Sequence, residues 1–338
     1  MSLLLLLLAV AFPLPSHGTH YTNPVIVPDS PDPGVLQVNK TFYAYTTSGD
    51  SDPMFPIHVS HDLVNWHIKG HVFNSTTWVK PTWAVSDFWA PEVHMVGSGF
   101  NVYFAARTKE VCICISTAQG QLCVGVAAAD SPLGPFRAVE KPLVQSVNGS
   151  LGSIDPHMFL DTRNGSAQPI LYWKLDGNAV GIPTVIYAQP LTSDGSQLAP
   201  ASSPQALIQN TLSWEGICIE APWVVSWQDT WYLFYSGNMY NSEGSHGTCL
   251  YSVGVAYSSQ GPFGDCWLTQ GLGPFHKLSA PILTTVSGLT GPGHCSVLPF
   301  EVASNSSTPN FYIVYHAWTT NEIGGSHHRH MAVDELTW

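Results

Sequence analysis

Three acidic residues lie in short motifs that resemble one another although they are far apart in the chain. The motifs are Pro31-Asp32-Pro33-Gly34, Ile154-Asp155-Pro156-His157 and Glu220-Ala221-Pro222-Trp223. A set of three carboxylates can supply a general base, a general acid, and a third group that raises the pKa of the acid and orients it. The sequence therefore predicts acid–base chemistry, provided that the fold brings Asp32, Asp155 and Glu220 together.

The elements that must position these motifs are five aromatic segments with the alternation of β-strands. They recur roughly every 60 to 80 residues, a spacing that fits one propeller blade with insertions. They are Phe42-Tyr43-Ala44-Tyr45, Asn101-Val102-Tyr103-Phe104, Leu171-Tyr172-Trp173, Trp231-Tyr232-Leu233-Phe234-Tyr235 and Phe311-Tyr312-Ile313-Val314-Tyr315. Pro or Gly interrupts almost every window of helical length. The pattern predicts an all-β chain in which residues 19–338 form a single five-bladed β-propeller.

The first strand of each propeller blade lines the central channel, so the motifs upstream of the aromatic segments should converge there. We expect Asp32, Asp155 and Glu220 at equivalent positions of units one, three and four, and Glu92 at that position of unit two. Hydrolysis of a glycosidic bond with inversion needs an acid and a base roughly 6.5–9.5 Å apart. Carboxylates that meet at the mouth of one channel suit this reaction.

The motifs resemble those of glycoside hydrolase family 43. The matching segments, in family order, are Ser30-Pro31-Asp32-Pro33-Gly34, Ser86-Asp87-Phe88-Trp89-Ala90-Pro91-Glu92-Val93, Gly152-Ser153-Ile154-Asp155-Pro156-His157, Tyr172-Trp173-Lys174 with Asp176-Gly177-Asn178, Glu220-Ala221-Pro222-Trp223, Leu233-Phe234-Tyr235-Ser236-Gly237, Gly291-Pro292-Gly293-His294 and Tyr315-His316-Ala317-Trp318. Each motif alone is weakly specific, but together they span residues 23–338.

The resemblance implies a five-bladed propeller and hydrolysis with inversion. It assigns the general base to Asp32, the residue that modulates the pKa of the acid to Asp155, and the general acid to Glu220. It also places His294 near the channel axis, in contact with a structural calcium ion or its water shell, and Arg329 at sugar hydroxyls. The acid motif departs from the common Glu-Gly-Pro by having Ala221, which adds a methyl group and removes no chemistry.

Each candidate also has a purely structural interpretation. An Asp before Pro is often a turn residue. Glu215 is a rival acid that lies outside the repeated motifs, and Glu92 is interpreted as a hydrogen-bonding residue of the channel wall. Phe88 and Trp89 are predicted to bind substrate, because flat aromatic faces suit the apolar side of a sugar. Packing in the core is the alternative for both, as it is for Trp83.

The first eleven residues form a leucine-rich run that is too short to span a bilayer but has the length of a signal-peptide core. We expect a signal peptide at residues 1–18, cleaved after Gly18, and a secreted protein. N-x-S/T sequons at Asn39, Asn74, Asn148, Asn164 and Asn305 agree with export. Seven cysteines in an exported chain suggest some disulfides with one thiol left over, including a pair between Cys123 and either Cys112 or Cys114.

The net charge of −12 and the absence of any Lys/Arg run argue against a nucleic-acid partner. No other stretch of the sequence is long and apolar enough to cross a membrane. We expect a monomer that acts on carbohydrate, has no membrane partner and requires no cofactor beyond the calcium ion that the resemblance implies.

Rival functions remain at this stage. A sugar-binding propeller without catalysis would be favoured by the loss of one carboxylate, and all three are present. A fructan-cleaving enzyme would have Asn-Asp-Pro-Asn, Arg-Asp-Pro and Glu-Cys motifs, which differ from those found here. Within the family, the site suits arabinose- or xylose-containing polysaccharides, with α-L-arabinofuranosidase or arabinanase first and β-xylosidase as the alternative. The insertion at residues 108–121 and the loop at residues 238–248 favour a closed pocket and exo action.

Overall fold

The computed structural model of the chain describes residues 21–76, 79–111, 120–145, 150–163, 165–264, 272–286, 288–300 and 310–336. The predicted signal peptide at residues 1–18 lies outside these ranges. The described residues contain five antiparallel sheets, four with four strands and one with three, and each sheet is a meander of consecutive strands. The sheets form a five-bladed β-propeller, which confirms the predicted fold.

The strand bounds follow the predicted units. Blade one has β1 (Gly34–Val38), β2 (Thr41–Tyr45), β3 (Met54–Ser60) and β4 (His67–Phe73); blade two has β5 (Ala84–Val96), β6 (Gly99–Val111), β7 (Gly120–Ala129) and β8 (Arg137–Ala138); blade three has β9 (Ser153–Asp161), β10 (Gln168–Leu175), β11 (Val185–Pro190) and β12 (Gln205–Gln209); blade four has β13 (Ile219–Trp227), β14 (Thr230–Gly237), β15 (Ser252–Ser258) and β16 (His276–Lys277); blade five has β17 (Leu289–Phe300), β18 (Asn310–Thr319) and β19 (His330–Leu336).

Helical structure in the described ranges is limited to three single turns of 3₁₀ helix, at Asn178–Val180, Ser213–Glu215 and Ser245–Gly247. None of the described helices is long and apolar enough to cross a membrane.

The aromatic segments are the second strands of the blades, as predicted. Their side chains alternate between the two faces of each sheet and fill the spaces between blades. Between blades one and two, the rings of Phe55 and Phe73 pack against Phe104, and Phe88 lies against both Phe55 and Phe104. Of these four rings, Phe104 belongs to one of the five aromatic segments.

The N-terminal segment closes the ring by pairing with the last strand, β19. The backbone N–H groups of Val25 and Ile26 donate to the carbonyl of Met331 at 2.8 and 3.2 Å. The Asn23 side chain adds two hydrogen bonds to the backbone of Val333, one as donor and one as acceptor. Blade five therefore joins the two ends of the described chain, and the channel has a fixed circumference.

Neighbouring inner strands are joined across the channel wall by a repeated contact. A side chain on one inner strand accepts a hydrogen bond from the backbone N–H of the next: Met158 N–H donates to Glu92 Oε2 (3.3 Å), Val224 N–H to His157 Nε2 (2.9 Å), and Val35 N–H to Ser296 Oγ (3.0 Å). Gly34 lies at the closest approach of blades one and two, and a Cβ there would lie 2.2 Å from the Pro91 carbonyl oxygen. These contacts hold the inner strands in register around the axis.

Candidate active site

The five inner strands share one backbone feature that directs side chains into the channel mouth. Each inner strand has a residue with a left-handed backbone conformation, either within the strand or shortly before it: Asp32 (φ 54°), Ala90 (φ 47°), Asp155 (φ 54°), Ala221 (φ 54°) and His294 (φ 49°). Left-handed backbone is uncommon for residues other than glycine and reverses the local direction of the side chain. The channel mouth is thus built by the same bend in every blade.

This equivalence corrects the predicted alignment of the acids. Asp32 and Asp155 occupy the left-handed position, but Glu220 lies one residue before it, because Ala221 is the left-handed residue of blade four. Glu92 lies two residues after Ala90 and is likewise not equivalent to Asp32. The Glu side chain is one methylene longer than Asp, and from the preceding position it still reaches the cleft.

Ala221 also gives the departure from Glu-Gly-Pro a physical meaning. Its left-handed backbone suits glycine, and an L-residue there costs about 1–2 kcal/mol. The Ala221 N–H donates to Asp155 Oδ2 at 3.0 Å, and this hydrogen bond holds the strained turn against the Asp155 carboxylate. The substitution therefore affects backbone energy beside the acid and leaves the acid itself in place.

Asp32 lies among hydrogen-bond donors that favour its ionised form. Arg329 Nη1 donates to Oδ1 at 2.8 Å, and Thr47 Oγ1 donates to Oδ2 at 2.7 Å. His294 Nδ1 lies 3.3 Å from Oδ1. Burial acts to raise the pKa of Asp32, but Arg329 and then His294 outweigh burial and hold this pKa well below its usual value. Asp32 is therefore a carboxylate over the whole physiological pH range.

His316 contributes orientation to Asp32 rather than charge. The backbone N–H of Asp32 donates to His316 Nδ1 at 3.1 Å, so this nitrogen is unprotonated, although it also lies 3.2 Å from Asp32 Oδ1. Burial lowers the pKa of His316 to about 4, with the Arg329 charge adding to that effect. The neutral imidazole stacks on the ring of Tyr251, with 5.7 Å between centroids.

Of the three carboxyls in the cleft motifs, Asp155 is the one that favours its protonated form. Burial raises the pKa of Asp155 to about 6; the charges of Glu220 and Asp32 add to this effect, while His294 and Lys174 oppose it. Because Asp155 and Glu220 influence each other, their protons belong to the pair rather than to either residue.

Glu220 has donors at both of its carboxylate oxygens. Lys174 Nζ lies 2.7 Å from Oε2, the Cys218 thiol lies 3.3 Å from the same oxygen, and the Tyr251 hydroxyl donates to Oε1 at 2.7 Å. Burial acts to raise the pKa of Glu220, but Lys174 above all, followed by Tyr251 and Cys218, lowers it below its usual value. In the free protein the shared proton therefore favours Asp155.

The three carboxylates line a single cleft of about 240 Å³ at the channel mouth. Its wall is formed by Asp32, Trp89, Ile154, Asp155, Lys174, Asp176, Asn178, Glu220, Met239, Tyr240, His294 and Arg329. Larger concavities, of about 840 and 440 Å³, lie in blade two and between blades three and four. Their described acidic residues, Asp87 and Asp161, form ion pairs with Arg107 and Arg163, so the described part of neither concavity offers a free carboxylate pair.

The predicted substrate-binding residues have different positions. Trp89 and Arg329 line the cleft, and the Arg329 guanidinium lies over the Tyr240 ring at 4.8 Å from its centroid. The prediction for Phe88 is wrong, because its side chain is fully buried and packs against Phe104 in the blade core. Trp83 also stacks on Phe104, with 6.1 Å between ring centroids.

Glu215, the rival acid, lies outside the cleft and is fully buried. Lys277 Nζ lies 2.8 Å from both of its oxygens, Tyr235 OH donates to Oε1 at 2.8 Å, and the backbone N–H groups of Thr211 and Leu212 donate to Oε2. A carboxylate whose oxygens are all engaged and shielded from solvent is a structural group.

Two groups of residues have side chains of the types that bind metal ions. Glu92, His94 and His157 bring three potential ligand atoms within 4.8 Å of one another. However, the Val224 N–H donates to His157 Nε2, so the proton of the neutral imidazole lies on Nδ1, the atom that faces Glu92. This nitrogen cannot also bind a metal, and the group is explained as a buried carboxylate in close contact with two imidazoles. Both imidazoles outweigh burial and lower the pKa of Glu92 to about 2.

The calcium prediction concerns His294, which lies in the cleft as expected for a residue near the axis. Its Nδ1 faces Asp32 Oδ1, which leaves Nε2 for a water molecule or a hydrated cation. Arg329 already occupies Asp32 Oδ1, so direct ligation by this carboxylate would bring two cations together. These residues fit an ion held through its water shell, and calcium stays a prediction.

Sequence reasoning missed four residues that shape the site. Lys174 and His316 lie within motifs used for the family resemblance. Nothing in those motifs indicated that Lys174 pairs with Glu220, or that His316 accepts a hydrogen bond from the backbone of Asp32. Thr47 and Tyr251 are ordinary members of β-rich segments, and their roles arise only from contacts between distant parts of the chain.

The cysteine prediction needs one correction. Cys218, Cys249 and Cys295 are buried free thiols, so more than one thiol is left over. Cys112 and Cys114 lie outside the described residues, and their pairing with Cys123 stays a prediction.

Known proteins resemble this chain over most of its length. The family model described as "Glycosyl hydrolases family 43" matches residues 21–338. A crystal structure of a thermostable family-43 glycoside hydrolase superposes with a TM-score of 0.74 at 31% identity, covering 94% of this chain and 93% of that chain. Segments also match a β-xylosidase of Formosa agariphila, 45% identical over 58 residues, and a xylosidase/arabinosidase 43A of Humicola insolens, 36% identical over 85 residues.

The two curated relatives differ from the crystal structure in coverage. Their matched segments span 17% and 25% of this chain, and only 10% and 21% of the relatives themselves. The structural match, by contrast, covers nearly all of both chains.

Proposed function

The chain belongs to glycosyl hydrolase family 43, and we propose that it hydrolyses glycosidic bonds in arabinose- or xylose-containing polysaccharides or oligosaccharides with inversion. The observation that supports this proposal most directly is the single cleft lined by Asp32, Asp155 and Glu220. Inverting hydrolysis requires one ionised carboxylate and one carboxyl that can donate a proton on opposite sides of the sugar. The ionised Asp32 and the pair Asp155–Glu220 provide both.

In this mechanism Asp32 is the general base. Arg329, Thr47 and His316 fix its orientation, and the low pKa of Asp32 keeps it ionised at the pH of reaction. A water molecule held by Asp32 attacks the anomeric carbon as the glycosidic bond breaks. The proton lost by that water passes to Asp32, and the configuration at the anomeric carbon is inverted.

Glu220 is the general acid, and Asp155 keeps a proton available to it. The leaving oxygen of the substrate takes the proton of Glu220 as the bond breaks. The negative charge of Asp155 favours the protonated form of Glu220, since each carboxylate raises the pKa of the other. The bond from Ala221 N–H to Asp155 Oδ2 fixes Asp155 beside the acid through the residue that follows Glu220.

We further propose that the protein removes single terminal pentose units. A cleft of about 240 Å³ is smaller than the roughly 300–1,000 Å³ typical of drug-sized ligands and suits one sugar ring. Met239 and Tyr240, from the loop predicted to wall off one end, line this cleft. Arabinofuranose is the first candidate, and xylose is the second because the Formosa agariphila relative is named a β-xylosidase.

A panel of three substrates tests this specificity. We expect turnover of nitrophenyl α-L-arabinofuranoside to exceed that of nitrophenyl β-xyloside, and debranched arabinan to yield arabinose as its first product. The anomer released first, followed by proton NMR, should be inverted. The appearance of oligosaccharides before arabinose would contradict exo action, and the absence of any turnover would favour a sugar-binding protein.

Asp155→Asn should change the pH dependence of hydrolysis in a defined direction. The amide oxygen of the new side chain can still accept from Ala221 N–H, but the negative charge that favours protonated Glu220 is lost. The pKa of Glu220 falls, so the alkaline limb of the kcat/KM profile should move to lower pH. Profiles measured between pH 3 and pH 9 would contradict this role if the limb stayed in place or moved upward.

A further inference from the structure

Lys174 is a buried cation within the cleft that the mechanism above does not use. It lies on β10, in the second strand of blade three, and its side chain is about 2% exposed. Its Nζ is 2.7 Å from Glu220 Oε2 and 3.1 Å from Asp176 Oδ1. The ammonium therefore bridges the candidate acid and a second carboxylate of the cleft wall.

Burial of an ammonium group is costly unless it is paired and hydrogen-bonded. Burial alone would lower the pKa of Lys174, but Glu220 and Asp176 reverse this effect and keep that pKa well above its usual value. Lys174 is therefore charged throughout the pH range in which a glycosidase works. A permanent charge at hydrogen-bond distance from the acid must alter the acid's proton affinity.

The groups that face Glu220 come from several elements. Lys174 lies at the end of the second strand of blade three, Asp176 follows that strand, and Asp155 lies on β9. Cys218 precedes the acid on the chain, and Tyr251 lies before β15. Asp155 favours the protonated acid, whereas Lys174 is the strongest influence towards the ionised acid.

We propose that Lys174 is a positioning residue that sets the upper pH limit of hydrolysis by stabilising the ionised form of Glu220. The proposal rests on the role of Glu220 as general acid. The charge of Lys174 makes Glu220 a stronger acid, which assists donation to a poor leaving oxygen, but it also reduces the fraction of protein that holds the proton. Asp176 also pairs with Lys174 and thereby weakens the effect of the lysine charge on Glu220.

Two substitutions should move the pH profile in opposite directions. Lys174→Met removes the cation, so Glu220 holds its proton to higher pH and the alkaline limb of kcat/KM should rise by about one to three pH units. Asp176→Asn removes one of the two carboxylates that pair with Lys174. The charge of Lys174 then acts more strongly on Glu220, so the alkaline limb should move to lower pH. Lys174→Arg keeps the charge and should leave the limb near its position in the wild type.

The matched control is Lys277→Met. Lys277 is also a lysine with little exposure, its side chain about 12% exposed, at 2.8 Å from the buried Glu215, but this pair lies outside the cleft. This variant should lower the melting temperature and leave the alkaline limb unchanged. A structural role for Lys174 would give the same result in Lys174→Met as in this control.

The outcomes separate this inference from the proposed function. If Glu220→Gln keeps full activity on natural substrate, the assignment of the acid fails and the inference fails with it. If Glu220→Gln is inactive but the limb does not move upward in Lys174→Met, only the inference fails. Should Lys174→Met not fold, the sign of the shift in Asp176→Asn tests the same electrostatic link, and an upward or absent shift there overturns it.

Discussion

Asp32→Asn is expected to be nearly inactive on every substrate, because Asp32 is the assigned base and its lowered pKa keeps it ionised and able to activate water. Removal of a general base costs roughly 10²–10⁴-fold in rate. The loss should be similar for natural oligosaccharides and for aryl glycosides with very good leaving groups, since attack by water is needed in both. Measurement of kcat on both substrate classes checks this prediction.

The control for Asp32→Asn is Asp161→Asn. Asp161 is also largely buried and is also paired with an arginine, Arg163, but it lies outside the cleft. We expect this variant to retain wild-type kcat even if its stability falls. If Asp32→Asn lost activity only on substrates with poor leaving groups, Asp32 would be acting on the leaving oxygen and the assigned base would be wrong.

The blades could be predicted from the sequence because their signal is local. Each second strand repeats an aromatic alternation within five residues or so, and a similar pattern recurs in every blade. Convergence of the carboxylates then follows from propeller geometry, which puts every inner strand at the same axis. No contact between particular side chains was needed for either conclusion.

The position of each acid within its strand could not be predicted as well. The left-handed position is occupied by Asp, Ala and His in different blades, so residue type does not mark it. When the motifs are aligned by their acidic residues, Glu220 is matched to Asp32 and Asp155, although it lies one residue before the left-handed position. Only the backbone reveals that Ala221 is the equivalent of Asp32, and that the longer Glu side chain compensates for the offset.

Phe88 and Trp89 illustrate a similar limit. Both rings were predicted to bind substrate, but neighbouring residues on a strand point to opposite faces, so the two cannot both face one sugar. The structure puts Trp89 in the cleft and Phe88 in the core. The sequence shows that the two side chains alternate, but it does not show which of them faces the cleft. The left-handed residue Ala90, which follows Trp89, changes the direction of the strand at this point.

The electrostatic environment of the acid was beyond the sequence for a different reason. Glu220 is contacted by Lys174 from blade three and by Tyr251 from blade four, 46 and 31 residues away along the chain. Such contacts depend on rotamers and on the packing of two blades against each other. Neither residue lies in a motif whose chemistry would suggest a role with a carboxyl group.

Glu220→Gln is expected to separate substrates by their leaving groups. Glutamine cannot donate a proton from a carboxyl group, so hydrolysis of natural oligosaccharides should fall by roughly 10²–10⁴-fold. An aryl glycoside with a very good leaving group needs little protonation, so its hydrolysis should fall far less. The same variant should also lose the alkaline limb of the pH profile, because the group that titrates there is gone. Steady-state kinetics on the two substrates across pH measures both effects.

The matched control is Glu215→Gln, which changes a buried glutamate that is paired with Lys277 and lies outside the cleft. Loss of that charge leaves Lys277 buried without its anion, so we expect a lower melting temperature but an unchanged ratio of activities on the two substrates. The pattern that would overturn the assignment is the reverse one. If Glu215→Gln were inactive on oligosaccharide and Glu220→Gln behaved like the wild type, the proton donor would be Glu215, and the cleft at the channel mouth would not be where the glycosidic bond breaks.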